Sequence, residues 1–344
     1  MTIRRRLGAA AAALLCFGLA LPASAQGVLN VYCSVQVEWC TLLANEFQKA
    51  TGTKVSITQK GSGETIAQLK AEAQNPKGDV WFGGTGDPHL QAAEENLTEV
   101  YKSPKMSELH PWAIKQNTDS GGKTVGIYAG ALGFGFNTEL LAKKGAKAPA
   151  CWADLLKPEF KGEIQMANPN SSGTAYVAIA TLVQLMGEDK AFDFLKKMHA
   201  NVNAYTRSGT APMKAVARGE TMVSISFVHD GVTEALAGFP VKTATPCEGT
   251  GYEIGSMSIV KGARNMANAK KFYDWALSPE AQKLEAVAKQ FQVPSNKNTP
   301  VPPEAPKFAD MKLIDYDQAK YGKSSERKRL IARWDAEVGA LPKP

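Results

Sequence analysis

Between Val28 and Gly84 the chain alternates short β-branched runs with helical runs, and this alternation constrains its fold more than any other feature. "VLNVYCSV" (28–35) is apolar and β-branched, and the stretch from Glu38 to Ala50 places Leu42, Leu43 and Phe47 on one helical side. "TGTKVSIT" turns at Gly52 into a second strand, "SGETIAQLKAEAQ" predicts a second helix, and "GDVWFGG" is a third, nearly continuous apolar strand. Strands of this kind separated by helices require a parallel sheet covered on both faces. Ligands of such sheets sit beyond the carboxyl ends of the strands, which here are Ser34, Gly61 to Glu64, and Gly83 to Asp87.

A second α/β series follows a glycine-bearing extended segment, Lys123 to Asn137, whose glycines at 126, 130, 133 and 135 suit a crossover between lobes better than an ordinary core strand. The series predicts a strand at Glu163–Ala167, helices at Ala175–Gly187 and Lys190–Ala200, a short helix near Met213–Arg218, the strand "TMVSISFV" and a strand at Val241–Pro246. "GYEIGSMSIVKG" then reads as the return crossover. Helices near Asn268–Leu277 and Pro279–Lys289, a proline-rich passage and a basic helix at Ser324–Val338 complete the chain. In the last of these, Arg327, Lys328, Arg329 and Arg333 surround Leu330, Ile331 and Trp334, the pattern of a surface helix docked by its apolar side.

The first residues are excluded from this fold. Three arginines, an apolar run from Leu7 to Leu21, and Ala23 and Ala25 before Gln26 make residues 1–25 a cleavable export signal. Cys16 follows Leu15, not the small residue of a lipid-attachment site, so a soluble periplasmic protein is expected. Loss of Arg4, Arg5 and Arg6 leaves 37 of the 40 basic residues against 33 acidic ones, a net charge of +4 that gives no case for a nucleic-acid partner. The remaining length, roughly 320 residues, exceeds what one core usually supports, so two lobes are expected. Export also leaves Cys33, Cys40, Cys151 and Cys247 in an oxidising compartment. Three pairings are open; the short spacing of Cys33 and Cys40 favours a local bridge, leaving Cys151 with Cys247.

Enzymatic motifs are weak. "SGGKT" has Asn117 where a phosphate-binding loop needs its first glycine, and no G-x-S-x-G elbow occurs. Asp87 and His89 in "GTGDPH" read as a cap and turn, not a metal pair. The informative signal lies in polar, glycine-containing turns ahead of helices: Asn170, Ser171, Ser172, Gly173 and Thr174 in one, Gly61, Ser62, Gly63 and Glu64 in another, and Ser34 at a third strand end. Helix amino termini of this composition attract anions. His229 and Asp230 follow the apolar strand "TMVSISFV", and Glu248 follows the next strand, giving groups that accept from or donate to ligand hydroxyls.

Taken with "VLNVYCSVQVEWCTLLANEFQKATGTKV", "GDVWFGG", "APMKAVARGE" and "KKFYDWALSPEAQK", the chain resembles the periplasmic substrate-binding proteins of ABC importers, in the ferric-iron-type family. The resemblance implies a two-lobed type II α/β fold hinged on two crossover strands, with lobe 1 at 26–130 and 250–297, lobe 2 at 131–249, and a helical segment at 298–344 packing on them. Where the iron carriers place adjacent tyrosines, this chain has His229 and Asp230, and its first loop, "CSVQVEW", lacks their other ligands. "FVHDG" with a later glutamate resembles the branch that binds hexose phosphates. That resemblance assigns His229, Asp230 and Glu248 to the sugar, and Ser34, Ser62, Ser172, Gly173 and Thr174 to the phosphate, with Gly63 and Ser171 beside them. It implies a non-enzymatic monomer that needs no cofactor, closes on a small phosphorylated solute and delivers it to a membrane permease. The rival expectations are a ferric or aminophosphonate carrier and a secreted hydrolase with His229 as base.

Overall fold

Among the described residues the strand and helix pattern builds ten strands: β1 (Leu29–Cys33), β2 (Val55–Gln59), β3 (Val80–Phe82), β4 (Val125–Asn137), β5 (Ile164–Ala167), β6 (Val202–Thr206), β7 (Val223–Phe227), β8 (Val241–Ala244), β9 (Tyr252–Ile259) and β10 (Val293–Pro294). This computed structural model describes residues 27–342, and the export signal read at residues 1–25 lies outside them. Strand order is β2-β1-β3-β9-β4-β7-β5-β6, with β8 and β10 also paired to β4. Pairings of β1 with β2 and β3, and of β5 with β6 and β7, are parallel, as strand-helix-strand units demand.

The crossovers make the rest antiparallel. The first half of β4 pairs with β9 and β10, while its second half pairs with β7 and β8. All 13 residues of β4 are buried, glycines included, because neighbours press on it from both faces. β3 joins β9, so two long strands carry the chain between the lobes of a type II periplasmic-binding-protein fold. Each lobe has its own core: Phe47, Phe82 and Phe272 in the first, Phe134, Trp152 and Phe192 in the second.

The carboxyl-terminal segment adds Tyr316, Tyr321, Leu330 and Trp334 to the second of these cores. Burial of each such side chain contributes about 1.5–3 kcal/mol. The basic helix, Ser324–Trp334, thus docks by its apolar side, and Arg329 and Arg333 pair with Glu188 on the outside. The segment also reaches the first lobe, since Ser324 N–H donates to Glu94 Oε2 at 2.7 Å and the Tyr316 hydroxyl to Asp87 Oδ2 at 3.3 Å.

Several expectations need revision. "VHDGVTEAL" forms a helix, Val228–Leu236, directly after β7, and Gly231 in its first turns conceals the helical period. Pro111–Asp119 and Thr138–Lys144 are helices within stretches that the apolar pattern leaves as connections. The helix expected at Pro279–Lys289 breaks into Pro279–Gln282 and Leu284–Val287. Among the described residues no helix is long and apolar enough to cross a membrane.

Both disulfides form in the favoured pairing, Cys33–Cys40 and Cys151–Cys247. The second closes a span of 96 residues, the geometry in which a cross-link most restricts the unfolded chain. Replacing Cys151 and Cys247 by serine should lower the unfolding free energy by about 2–4 kcal/mol in urea titration; an unchanged midpoint would contradict a structural role for this bridge.

Candidate functional site

A cavity of about 320 Å³ opens between the lobes at the carboxyl ends of the parallel strands. Six helices begin on its wall, through Gln36, Gly61 and Thr85 of the first lobe and Ser172, Thr210 and Phe227 of the second. None of these capping residues uses its own side chain to cap its helix. The positive ends of the helix dipoles therefore border one space from both sides, although Gly61 N–H is taken by Glu64 Oε2. Lys60 and Arg207 add cationic groups to the same wall.

Hydroxyls fill the gaps between these termini. Ser34 Oγ accepts from Trp81 Nε1 at 2.9 Å and lies 3.1 Å from Thr65 Oγ1, while Ser62 Oγ accepts from Thr85 N–H at 3.3 Å. The Tyr128 hydroxyl accepts from Gly84 N–H at 3.0 Å. Trp81 is fully buried against His89, and Trp39 packs on Phe82, so both tryptophans serve the core. Asp87 and His89 lie in and under the helix Gly86–Glu94, with His89 bonded to Ser258 Oγ and Gly83 O.

One part of the wall is acidic. Asp230 and His229 occupy the first turn of the helix after β7, and Glu253 stands on β9 in register with Gly130 of β4. All three are buried. His229 Nε2 lies 3.8 Å from Asp230 Oδ1 and 3.9 Å from Glu253 Oε1, too far for direct hydrogen bonds but close enough to share one ligand. Burial drives His229 down to about 3, so the imidazole is neutral. Burial, with Glu234 adding to it, raises Asp230 to about 7 against the opposing pull of Lys214 and Gln36. Burial first, then the charges of Asp230 and Asp87, holds Glu253 well above the usual carboxylate range. Three buried atoms on the cavity residues, Thr85 Oγ1, His229 Nδ1 and Gln292 Oε1, have no hydrogen-bond partner.

Most of the sequence-derived residues meet here: Ser34, Ser62, Ser172, Gly173, Thr174, His229 and Asp230 all line the cavity. Gly63 and Ser171 do not; they join the lobes, with Gly63 N–H donating to Ser171 O at 3.1 Å. Glu248 is a correction. Its carboxylate accepts from Trp152 N–H at 2.8 Å and Ala153 N–H at 3.2 Å, beside the Cys151–Cys247 bridge and away from the cavity. The strand end it follows, after β8, leads away from the cleft, and the acid that enters the cleft is Glu253. A lone charge inside the apolar crossover "YEIGSMSI" is the signal that could have found it. Arg207 and Thr210 belong to "TRSGT", a turn of the same composition as the two singled out from sequence.

Comparison with known proteins gives a consistent set. A family profile described as bacterial extracellular solute-binding protein matches residues 79–321. An uncharacterized protein of Haemophilus influenzae is 48% identical over 95% of each chain. A Salmonella typhimurium protein provisionally named as a 2-aminoethylphosphonate-binding periplasmic protein is 29% identical over 76% of this chain and 77% of that one. Among solved structures, the periplasmic binding protein AfuA from Actinobacillus pleuropneumoniae, with exogenous fructose-6-phosphate bound, superposes with a TM-score of 0.88 at 47% identity, covering 92% of this chain and 100% of the other. Iron-bound HitA from Pseudomonas aeruginosa, at 21% identity and a TM-score of 0.74 over 89% of this chain and 98% of that one, shares the fold.

Two outcomes test this geometry. A Cβ at Gly130 would stand 2.6 Å from the His229 ring, so Gly130→Ala should lower stability by about 1–3 kcal/mol in denaturant titration; a neutral result would mean the ring is free to move. The raised Asp230 pKa has a defined sign: the folded protein keeps a proton that the unfolded chain releases near pH ~4. Wild-type stability is thus unaffected by this group below pH ~4 and falls as pH rises to about 7. The melting temperature of Asp230→Asn minus that of wild type should grow across that window and level off above it, whereas a constant difference would contradict the buried proton.

Proposed function

Because this chain belongs to the bacterial extracellular solute-binding proteins, non-enzymatic transport components that hand solutes to ABC permeases, we propose that its ligand is a small phosphorylated sugar, a hexose phosphate. One observation carries the reading: the cavity is bipolar. Helix amino termini, hydroxyls, Lys60 and Arg207 supply donors and positive charge to it, and the cluster of His229, Asp230 and Glu253 supplies acceptors. A phosphate dianion suits the first set, with each charge-assisted bond contributing about 1.5–3 kcal/mol. Sugar hydroxyls suit the second, donating to carboxylate oxygens and exchanging hydrogen bonds with the neutral imidazole.

The anion would take donors from both lobes, so the ligand stabilises the closed arrangement more than the open one. Contacts across the cleft support such closure: Gly63 N–H to Ser171 O, the Arg207–Glu64 ion pair, and Gln36 Nε2 donating to Asp230 Oδ1 at 2.6 Å. The 47% identity to AfuA, solved with fructose-6-phosphate, supports the same class of ligand. An aminophosphonate is the second reading, favoured by the Salmonella relative and by the two buried acids, whose ionised forms an ammonium group would stabilise.

Calorimetry with glucose 6-phosphate, inorganic phosphate and 2-aminoethylphosphonate separates these readings. Glucose 6-phosphate should bind tightest, and Glu253→Gln should weaken it by about 10–100-fold while changing inorganic phosphate far less. Tightest binding of the aminophosphonate would replace the sugar reading with the second one.

A further inference from the structure

Gln36 sits between two cavities. One is the ligand cavity; the other, of about 240 Å³, shares Gln36, Thr210 and Asp230 with it and extends between the lobes toward Ala237 and Ala288. Gln36 comes from the first lobe and Asp230 from the second, both are buried, and the 2.6 Å hydrogen bond between them forms the partition. Two lining residues of the second chamber are joined across the lobes, Thr233 Oγ1 donating to Lys289 O at 2.8 Å.

Its chemistry differs from that of the phosphate side. Lys214 and Lys289 are offset there by Glu38 and Glu234, and the buried Gln290 on its wall has an Oε1 without a hydrogen-bond partner. A mixed wall with an open acceptor suits a neutral, hydroxyl-rich group and disfavours a second phosphate. Of the three shared side chains, Thr210 is short and Asp230 is placed on the sugar side of the site. Gln36 alone combines length with dispensability: it precedes the helix Val37–Thr51 without capping it through its side chain.

We propose that Gln36 is the length-selecting residue of this site. With its bond to Asp230 made, the cavity takes a one-ring sugar phosphate; with the side chain removed, the two chambers join and admit the second ring of a phosphorylated disaccharide. The proposal rests on the sugar-phosphate reading above.

The test is calorimetric titration of the full mature protein, wild type and Gln36→Ala, with glucose 6-phosphate and trehalose 6-phosphate. Wild type should prefer the one-ring compound, and Gln36→Ala should shift the ratio of the two affinities at least about tenfold toward the two-ring compound. Gln36→Asn, one methylene shorter, should shift it in the same direction by less. Adding Ala237→Trp at the exposed rim of the second chamber should return the ratio to the wild-type value. An unchanged ratio in Gln36→Ala, with both ligands weakened alike, overturns the proposal and reduces Gln36 to a closure contact. A shift that survives Ala237→Trp overturns it too, because the second ring would then lie elsewhere. If wild type binds neither compound, the sugar-phosphate reading fails and the length selection with it, an outcome distinct from glucose 6-phosphate binding with an unchanged ratio.

Discussion

One strand has to serve two sheets, and the site depends on how it does so. β4 pairs with β9 in the first lobe and with β7 in the second, which fixes the lobes' hinge and the register of the cleft together. In that register Gly130 stands opposite Glu253, and its missing side chain leaves the volume that the His229 ring occupies. The carboxyl end of β7, next to β4, then launches the helix whose first turn holds His229 and Asp230. The His229–Asp230 pair and Glu253 are thus brought together by backbone pairing, not by direct hydrogen bonds between them.

The electrostatics follow from the same arrangement. Glu253 and Asp230 are both costly to ionise through burial, with Asp230 adding to the cost at Glu253, while the neutral imidazole near both supplies no compensating charge. A buried carboxyl with few partners is unfavourable in an empty protein. In the proposed reading the apparent defect serves the ligand: donors brought by a solute would satisfy groups that the fold leaves short. Helix termini elsewhere on the wall have the opposite deficit, unsatisfied N–H groups that favour an anion. Under that reading the cavity would select a ligand that carries both an anion and hydroxyls, and lobe closure would draw on both deficits at once.

Much of this was legible from sequence, for identifiable reasons. Continuous apolar strands such as "VWF" and glycine-rich crossovers such as "GIYAGALGFGF" announce their burial directly, and turns such as "GSGET" and "NSSGT" announce helix starts. Cys33 and Cys40 are close enough in sequence to define their own bridge. Glu248 and Glu253 show the limit. Both are acids near a strand end, and only the pairing of β9 with β4 decides which one enters the cleft; Glu248 instead caps the turn at Trp152. Gln36, Lys60 and Gln292 carry no local signature at all, because their place in the cavity comes from the packing of one lobe against the other.

A cleft suited, as proposed, to a molecule with an anionic head and a hydroxyl-bearing body should retain that molecule through purification. Mass spectrometry of the small molecules released by denaturing protein purified without refolding tests this most directly. A sugar phosphate in near-stoichiometric amount is the expected result. Recovery of ferric ion, or of a polyamine without phosphorus, would contradict it.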